Sequence, residues 1–137
     1  MKISQKLEYA CRALVQLSKG YDGKTLTRLD DLAQREAVSS NFLVQILNDL
    51  RRAGLIDSRR GASGGYLLSR EPDKINMRQI VDAVEPAQLI NTAVDQGESG
   101  SGVKQVWEDI SVKLTKDLEK ITLDSFSETQ TMPDFSI

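Results

Sequence analysis

A chain of 137 residues, 39% hydrophobic and 28% charged, is predicted to fold as one compact soluble domain with its own core. Its single cysteine and its lack of histidine exclude a disulfide framework, a histidine-based catalytic triad and a zinc site, and with them most enzyme classes. Residues 1–80 carry a net charge of +5 and residues 81–137 a net charge of −7, so a polyanionic partner is expected to bind the N-terminal part.

The opening segment, MKISQKLEYA, lacks the apolar stretch of a signal peptide. No apolar run elsewhere approaches the ~20 residues that a membrane helix needs. We therefore expect a cytoplasmic protein without membrane contact.

Three helices are predicted before residue 55. Apolar residues at spacings of three and four predict the first helix over about residues 3–19: Ile3, Leu7, Ala10, Leu14 and Leu17. A second, short helix is expected to begin at Thr27 as N-cap, with Asp30 completing a weak capping box. Ser39 is the expected N-cap of a third helix, which Gly54 ends. Two helices joined by only a few residues are typical of a helix-turn-helix.

The segment SRRGASGGYLL predicts a β-hairpin, because two short apolar-rich strands, LIDSRR and GYLLS, surround the turn GASG. A helix-turn-helix followed at once by a hairpin is the layout of a winged helix. Arg59 and Arg60 would then lie where a wing meets the phosphate backbone or the minor groove of DNA. A phosphate-binding P-loop is the alternative interpretation, but a second strand follows the glycines and no lysine closes the loop.

Beyond the hairpin the sequence predicts a short helix and a long one. Asn76 and Gln79 form a capping box in front of the short helix, which a proline closes. Residues 87–102 lose apolar periodicity and end in Gly and Ser, so they are expected to form a flexible link. The long helix lies within residues 103–126, and residues 127–137 are expected to form a polar tail.

The long helix carries one continuous apolar stripe: Val103, Val106, Trp107, Ile110, Leu114, Leu118 and Ile121. Its length, about 28 Å, exceeds what the core of this domain needs. We therefore expect the stripe to pack on a second copy of the chain and to hold a homodimer. The alternative is a terminal helix that folds back on its own domain.

The stretch GLIDSRRGASGGYLLSREPDKINMRQIVDAVE resembles the Rrf2 family of bacterial winged-helix regulators. The resemblance extends from the opening MKIS through the Arg-Gly-x-x-Gly-Gly-Tyr wing to the Ile-x-x-x-x-Ile-x-x-Ala-Val-Glu helix, and it covers residues 1–86 closely. It implies a mainly α fold with a small β-hairpin, in which a winged helix-turn-helix over residues 1–86 precedes a long C-terminal dimerisation helix. It also implies a homodimer on a palindromic operator.

Well-known members of that family hold an iron–sulfur cluster with three cysteines in the segment before the long helix. The corresponding segment here, PAQLINTAVDQGESGSGVKQ, has no cysteine, and Glu8 cannot hold a cluster alone. We therefore expect no cofactor and place the chain with the cluster-free members, which respond through a partner protein or thiol chemistry. Cys11 is a candidate redox residue, although a half-buried structural cysteine is the commoner case.

Two segments are expected to contact DNA. The first turn and the exposed positions of the third helix should face the groove: Ser39, Ser40, Asn41 and Gln45. Ser39 is also the expected cap of this helix, and Arg51 at its end either contacts the DNA backbone or complements the helix dipole. The wing contributes Arg59 and Arg60, and Arg60 directly precedes Gly61, where the wing arginine of the family lies.

The combined prediction is a homodimeric transcriptional regulator, a repressor more than an activator, that binds double-stranded DNA and catalyses nothing. A small-molecule or protein effector is expected to change the angle between its two winged helices. One alternative is a winged-helix protein-interaction module that does not bind DNA. Another is a small-molecule-binding protein that uses a cleft beside the long helix.

Overall fold

The computed structural model describes residues 2–126. Within them the chain forms five α-helices and a two-stranded antiparallel sheet: α1 (Gln5–Ser18), α2 (Leu29–Arg35), α3 (Ser40–Arg52), β1 (Ile56–Arg59), β2 (Gly65–Leu68), α4 (Met77–Val84) and α5 (Gly100–Lys120). Short 3-10 turns at Pro72–Lys74 and Pro86–Leu89 flank α4. The mainly helical fold with a small hairpin and a long C-terminal helix is confirmed, and the predicted polar tail lies outside the described residues.

An apolar core lies between α1, α3 and α4 and is closed by α2 and the hairpin. The inward residues recur at every third or fourth position of the helices, as the sequence periodicity predicts. The fully buried members with large side chains are Leu14, Leu32, Leu43, Ile46, Leu47, Leu50, Ile56, Leu68, Ile75, Ile80 and Leu123. No polar or charged residue among residues 2–126 is buried, so removal of apolar surface from water is the main stabilising contribution of this core.

Helix boundaries follow the sequence where the signal is local. The Ser39 hydroxyl accepts a hydrogen bond from the backbone N–H of Phe42 at 3.2 Å, which confirms this N-cap. Asn76 and Gln79 form the predicted reciprocal capping box, with distances of 2.8 Å and 2.9 Å. Gly54 follows α3 with a φ of +78°, a conformation that glycine adopts readily at a helix end.

Two predictions at helix starts are wrong. Ser4 caps α1, so Ile3 precedes the helix and is 49% exposed instead of facing the core. The N-cap position of α2 is held by Arg28 rather than Thr27, and it makes no side-chain capping bond. Thr27 instead pairs with Tyr66 of β2, because its N–H donates at 2.9 Å and its carbonyl accepts at 2.8 Å. That pairing is an isolated bridge on the edge of β2 that does not face β1.

The segment between α4 and α5 is shorter than the predicted link over residues 87–102. The first residues of the predicted link belong to the 3-10 turn Pro86–Leu89. At its other end α5 begins at Gly100, three residues earlier than expected. Asn91 attaches the segment to α5, since its amide donates to the Glu108 carboxylate at 3.0 Å and to the Lys104 carbonyl at 3.5 Å. The link is therefore held against the long helix at this point.

The two ends of α5 differ in their surroundings. Its C-terminal end is joined to the start of α4, because the Met77 N–H donates to the Ile121 carbonyl at 2.9 Å and the Leu123 N–H donates to the Ile75 carbonyl at 3.0 Å. Residues 101–110, the first half of the helix, are exposed throughout. α5 is thus attached to the domain at its C-terminal end, while its N-terminal half is exposed to solvent.

The predicted dimer stripe divides between these two environments. Leu114 and Leu118 are half-buried and line a small apolar cavity of about 80 Å³ together with Leu7 and Met77 of their own domain. The other members are exposed: Val103 by 54%, Val106 by 57%, Trp107 by 54%, Ile110 by 47% and Ile121 by 42%. The alternative prediction, a terminal helix that folds back on its own domain, therefore holds only for Leu114 and Leu118. No helix in the described part of the chain is both long and apolar enough to cross a bilayer.

Candidate nucleic-acid interface

The outward face of α3 carries the polar residues that were predicted to meet DNA. Ser39, Asn41 and Gln45 are exposed, and Ser40 is half-buried. The opposite face of the helix is buried in the core, which fixes the rotation of α3 about its axis. The polar side chains of its first two turns are therefore directed away from the domain and are free to reach a groove.

The glycines of the hairpin are required by close approaches of the backbone. Arg59 pairs with Gly65 at the last position of the β1–β2 ladder, and the turn lies between them. A Cβ atom at Gly64 would lie 2.2 Å from the Arg59 carbonyl oxygen, and one at Gly65 would lie 2.5 Å from the Thr27 carbonyl oxygen. Gly61 has a φ of +106°, which other residues rarely adopt. The turn is therefore a constrained structure that presents Arg59 and Arg60 in a defined place.

The wing, the start of α2 and the second half of α3 border an open polar cleft of about 500 Å³. Four of the predicted residues line it: Arg51, Arg59, Arg60 and Gly61. Three further lining residues were not singled out from the sequence: Arg28, Asn48 and Tyr66. The polar residues at the start of α3 do not line the cleft, so the structure separates the predicted site into a basic cleft and a neighbouring polar helix face.

Over the residues that the structure describes, the lining of the cleft carries an excess of positive charge. None of its four arginines forms an ion pair within residues 2–126: Arg28, Arg51, Arg59 and Arg60. Asp30 is the one acidic residue among the lining side chains. Several guanidinium groups on one concave surface create a local positive potential and offer planar donors that match phosphate oxygens.

Arg52, the neighbour of Arg51, belongs instead to the scaffold. It pairs with Asp49, which also lies 2.6 Å from the Lys6 ammonium of α1. The hydrogen bond from Lys6, together with Arg52, holds the pKa of the Asp49 carboxyl below its usual value. These contacts join α1 to α3 and leave Arg51 as the uncompensated cation at the end of the third helix.

Arg28 reaches the wing from the start of α2. One of its terminal nitrogens donates to the backbone carbonyl of Ala62, at the tip of the hairpin turn. The sequence gives no signal for this contact, because neither periodicity nor a local motif relates residues so far apart in the chain. Pairing between Thr27 and Tyr66 brings the two segments together.

Cys11 lies half-buried on α1, and its surroundings favour the structural interpretation over a redox role. Burial raises the pKa of the Cys11 thiol to about 11, and the Glu8 carboxylate adds to the shift. Glu8 is itself bound by the Arg12 guanidinium at 2.7 Å. The thiol is therefore protonated at neutral pH, whereas both metal ligation and nucleophilic chemistry need the thiolate.

A helix-turn-helix followed directly by a constrained hairpin, with a basic cleft between them, defines the winged-helix class of DNA-binding regulators. The family model described as Rrf2, an iron-dependent transcriptional regulator, matches residues 3–129, and the chain belongs to this family. It is 31% identical over 127 residues to an HTH-type transcriptional regulator of Haemophilus influenzae, covering 90% of this chain and 84% of the relative.

Solved structures agree with this assignment. CymR, the global cysteine regulator of B. subtilis, superposes with a TM-score of 0.81 at 31% identity, covering 94% of this chain and 98% of that one. IscR of T. potens superposes with a TM-score of 0.77 at 31% identity, covering 98% and 93%. The predicted family is thus confirmed, and the chain is a DNA-binding transcriptional regulator rather than an enzyme.

The family description names iron, but the residues of this chain do not fit an iron–sulfur cluster. The sequence has one cysteine and no histidine, and the thiol of that cysteine is protonated and half-buried. Among residues 2–126, no three His, Cys, Asp or Glu side chains converge where they could hold a metal ion. An iron–sulfur cluster needs several thiolate ligands, and this chain has a single cysteine, so its residues do not fit such a cluster.

Proposed function

We propose that the protein is a homodimeric repressor that binds a palindromic operator. The observation that carries the DNA contact is the cleft beside the wing, with its four arginines that form no ion pair within residues 2–126. Lys and Arg side chains that neutralise phosphates release counterions and position a protein on the duplex, whereas base edges are read by other groups. The cleft is therefore assigned to the phosphate backbone, with Arg51, Arg59 and Arg60 as the residues that neutralise phosphates.

Base contacts are assigned to the neighbouring face of α3. Asn41 and Gln45 are exposed there, and their side-chain amides can donate to and accept from adenine in the major groove. Ser39 and Ser40 at the helix start are assigned to phosphates. Arg60, next to Gly61 in the wing turn, is assigned to the adjacent minor groove, where narrow A·T-rich steps have an enhanced negative potential.

The homodimer is supported by the exposed first half of α5. Val103, Val106, Trp107 and Ile110 follow the i, i+3, i+4, i+7 spacing of one helix face, and each is about half exposed. Each square ångström of apolar surface removed from water contributes about 25 cal/mol to the free energy of association. The same stripe on a second copy of the chain is an apolar surface of matching shape and length. Two-fold pairing through this stripe closes the assembly and presents two winged helices to two inverted half-sites.

An effector site is proposed in a cleft of about 320 Å³ beside α5. Its lining combines apolar and hydrogen-bonding side chains: Ile90, Asn91, Thr92, Ala93, Trp107 and Ser111. Because Asn91 attaches the link to α5, a small molecule or a protein partner that displaces this segment would act on the helix that sets the angle between the two winged helices. Repression then follows in the cytoplasm from occupancy of the operator, which blocks the polymerase.

The test is a selection from genomic DNA of the host organism. Fragments that are retained by the purified protein are sequenced, and they are expected to share an inverted repeat. An Arg59→Ala/Arg60→Ala variant, verified to be folded and dimeric, serves as the matched control and is expected to retain far fewer fragments. If the folded, dimeric protein enriches no sequence, the interaction module that does not bind DNA becomes the better explanation.

A further inference from the structure

The contact between α2 and the tip of the wing joins an exposed arginine to a backbone carbonyl. We propose that Arg28 is a positioning residue for DNA binding, which holds the wing tip in its DNA-competent place through the Ala62 carbonyl. The proposal rests on the proposed function, in which the wing contacts DNA. It concerns a residue of α2, outside the wing and outside the recognition face of α3.

The hairpin needs such support because it is small. β1 and β2 have four residues each, and a two-stranded hairpin of this size is marginally stable in water on its own. The end of its ladder next to the turn is attached to the domain by the pairing of Thr27 with Tyr66. Its tip is held by one backbone hydrogen bond within the turn, from the Gly64 N–H to the Gly61 carbonyl at 3.0 Å, and by the bond from Arg28 to Ala62.

The two attachments come from consecutive residues of the chain. The backbone of Thr27 holds the β2 strand just after the turn, and the side chain of Arg28 holds the turn itself at Ala62. The hairpin is thereby attached to the start of α2 at two points, one in the strand and one in the turn. Loss of the second attachment would leave the turn, and Arg60 within it, free to move relative to the paired strands.

Repulsion between the arginines of the cleft disfavours a closed wing before DNA binds. Arg28 lines the same cleft as Arg51, Arg59 and Arg60, and like charges close together favour an open arrangement of the wing. The hydrogen bond from Arg28 to Ala62 opposes that opening. A wing that is already ordered when DNA binds loses less conformational entropy in the complex, which raises affinity.

Two measurements separate positioning from direct phosphate contact. Arg28→Gln removes the charge-assisted bond, so the ¹⁵N order parameters of Ala62 and Ser63 are expected to fall below about 0.6. Operator affinity is expected to fall at least about fivefold, the effect of one lost hydrogen bond. The slope of log affinity against log salt is expected to stay unchanged, because no phosphate contact is lost.

Arg35→Gln is the matched control, since it removes the same charge at an exposed position at the far end of α2. It is expected to change neither the wing dynamics nor the affinity. The inference is overturned if Arg28→Gln leaves the order parameters of the wing unchanged, or if it lowers the salt slope by about two per dimer, which is the signature of a phosphate contact. Arg60→Ala is measured in parallel: if it weakens binding while Arg28→Gln does not, only this inference fails, and if neither weakens binding, the proposed function fails.

Discussion

Thr27 and Tyr66 exchange two backbone hydrogen bonds, of 2.9 Å and 2.8 Å, and thereby join the start of the helix-turn-helix to the second strand of the wing. The approach is so close that Gly65 has no space for a Cβ atom, which would lie 2.5 Å from the Thr27 carbonyl oxygen. The two-stranded wing is thus attached to the start of the helix-turn-helix by an isolated bridge on the free edge of β2. Its arginines are carried by a structure that exists before DNA is bound.

Gly64→Ala is expected to damage the wing and spare the helical core. The new Cβ atom would lie 2.2 Å from the Arg59 carbonyl oxygen, so the turn must open. The free energy of unfolding should fall by about 1–3 kcal/mol, the usual effect of overpacking. Urea unfolding measures this loss, and operator affinity should fall at least tenfold while the far-UV circular dichroism of the helices is retained.

Gly102→Ala is the matched control for that substitution. Apart from its chain neighbours and the adjacent backbone of α5, no described atom lies within 4 Å of the position of its Cβ. Alanine should therefore raise stability by about 0.5–1 kcal/mol, because it restricts the unfolded chain and favours helix. Equal effects of the two substitutions would contradict the steric account of the wing.

Local signals in the sequence predicted the caps and the core well. Ser39, Asn76 and Gln79 act on backbone groups within three residues, so their roles follow from the sequence alone. Thr27 carries the same type of local signal and was predicted wrongly. Its backbone is taken by a strand that is distant in the sequence, and this tertiary pairing overrides the local preference.

The candidate site was predicted in part. The wing motif identified Arg59 and Arg60, but Arg28 enters the cleft through tertiary contacts that no local pattern encodes. The apolar stripe of α5 predicted a buried face without specifying what covers it. The spacing of apolar residues shows which side of a helix is apolar, but it does not show what packs against that side. Leu114 and Leu118 are covered by their own domain.

Ile110→Asp is expected to convert the dimer into a monomer. Ile110 lies at the C-terminal end of the exposed stripe, and 47% of it is exposed in the single chain. A dimer would bury the new carboxylate without a partner, which costs several kcal/mol. Light scattering should report the mass of one chain, and operator affinity should collapse because one half-site supplies too few contacts.

Val112→Asp is the control for the position of the dimer face. Val112 is 44% exposed on the same helix, but two residues along a helix correspond to a rotation of about 200°. This variant should stay dimeric. Trp107, the one tryptophan of the chain, reports on the same face: its fluorescence should become accessible to acrylamide in Ile110→Asp and stay protected in Val112→Asp. A dimeric Ile110→Asp variant would rule out this stripe as the interface.

Cys11 is expected to make the stability of the protein fall at high pH. Burial raises its thiol pKa from 9.0 to about 11, so the neutral thiol is favoured in the folded state. Above pH 9 the unfolded chain gains from ionisation and the folded protein does not, so this contribution is lost progressively as pH rises from about 9 to 11. The difference in unfolding free energy between the wild type and Cys11→Ala should shift in that window. A constant difference from pH 7 to 11 would be incompatible with the raised pKa.

The arginines of the wing bind DNA through the negative potential of its phosphates, with Arg60 acting from the adjacent minor groove. Each neutralised phosphate contributes about 0.9 to the slope of log affinity against log salt, and a dimer presents each arginine twice. Arg60→Ala should therefore lower the slope by about two. Arg35→Ala, which removes an exposed arginine outside the cleft, should leave it unchanged.

The most direct measurement is fluorescence anisotropy of an operator duplex, taken from the genomic selection, at several salt concentrations with the Arg59→Ala/Arg60→Ala variant. The side chains of both arginines are exposed, so fold and dimer should stay intact. We expect weaker binding and a slope lowered by about three to four. An unchanged affinity together with an unchanged slope would contradict it and would mean that this turn is not a DNA-binding wing.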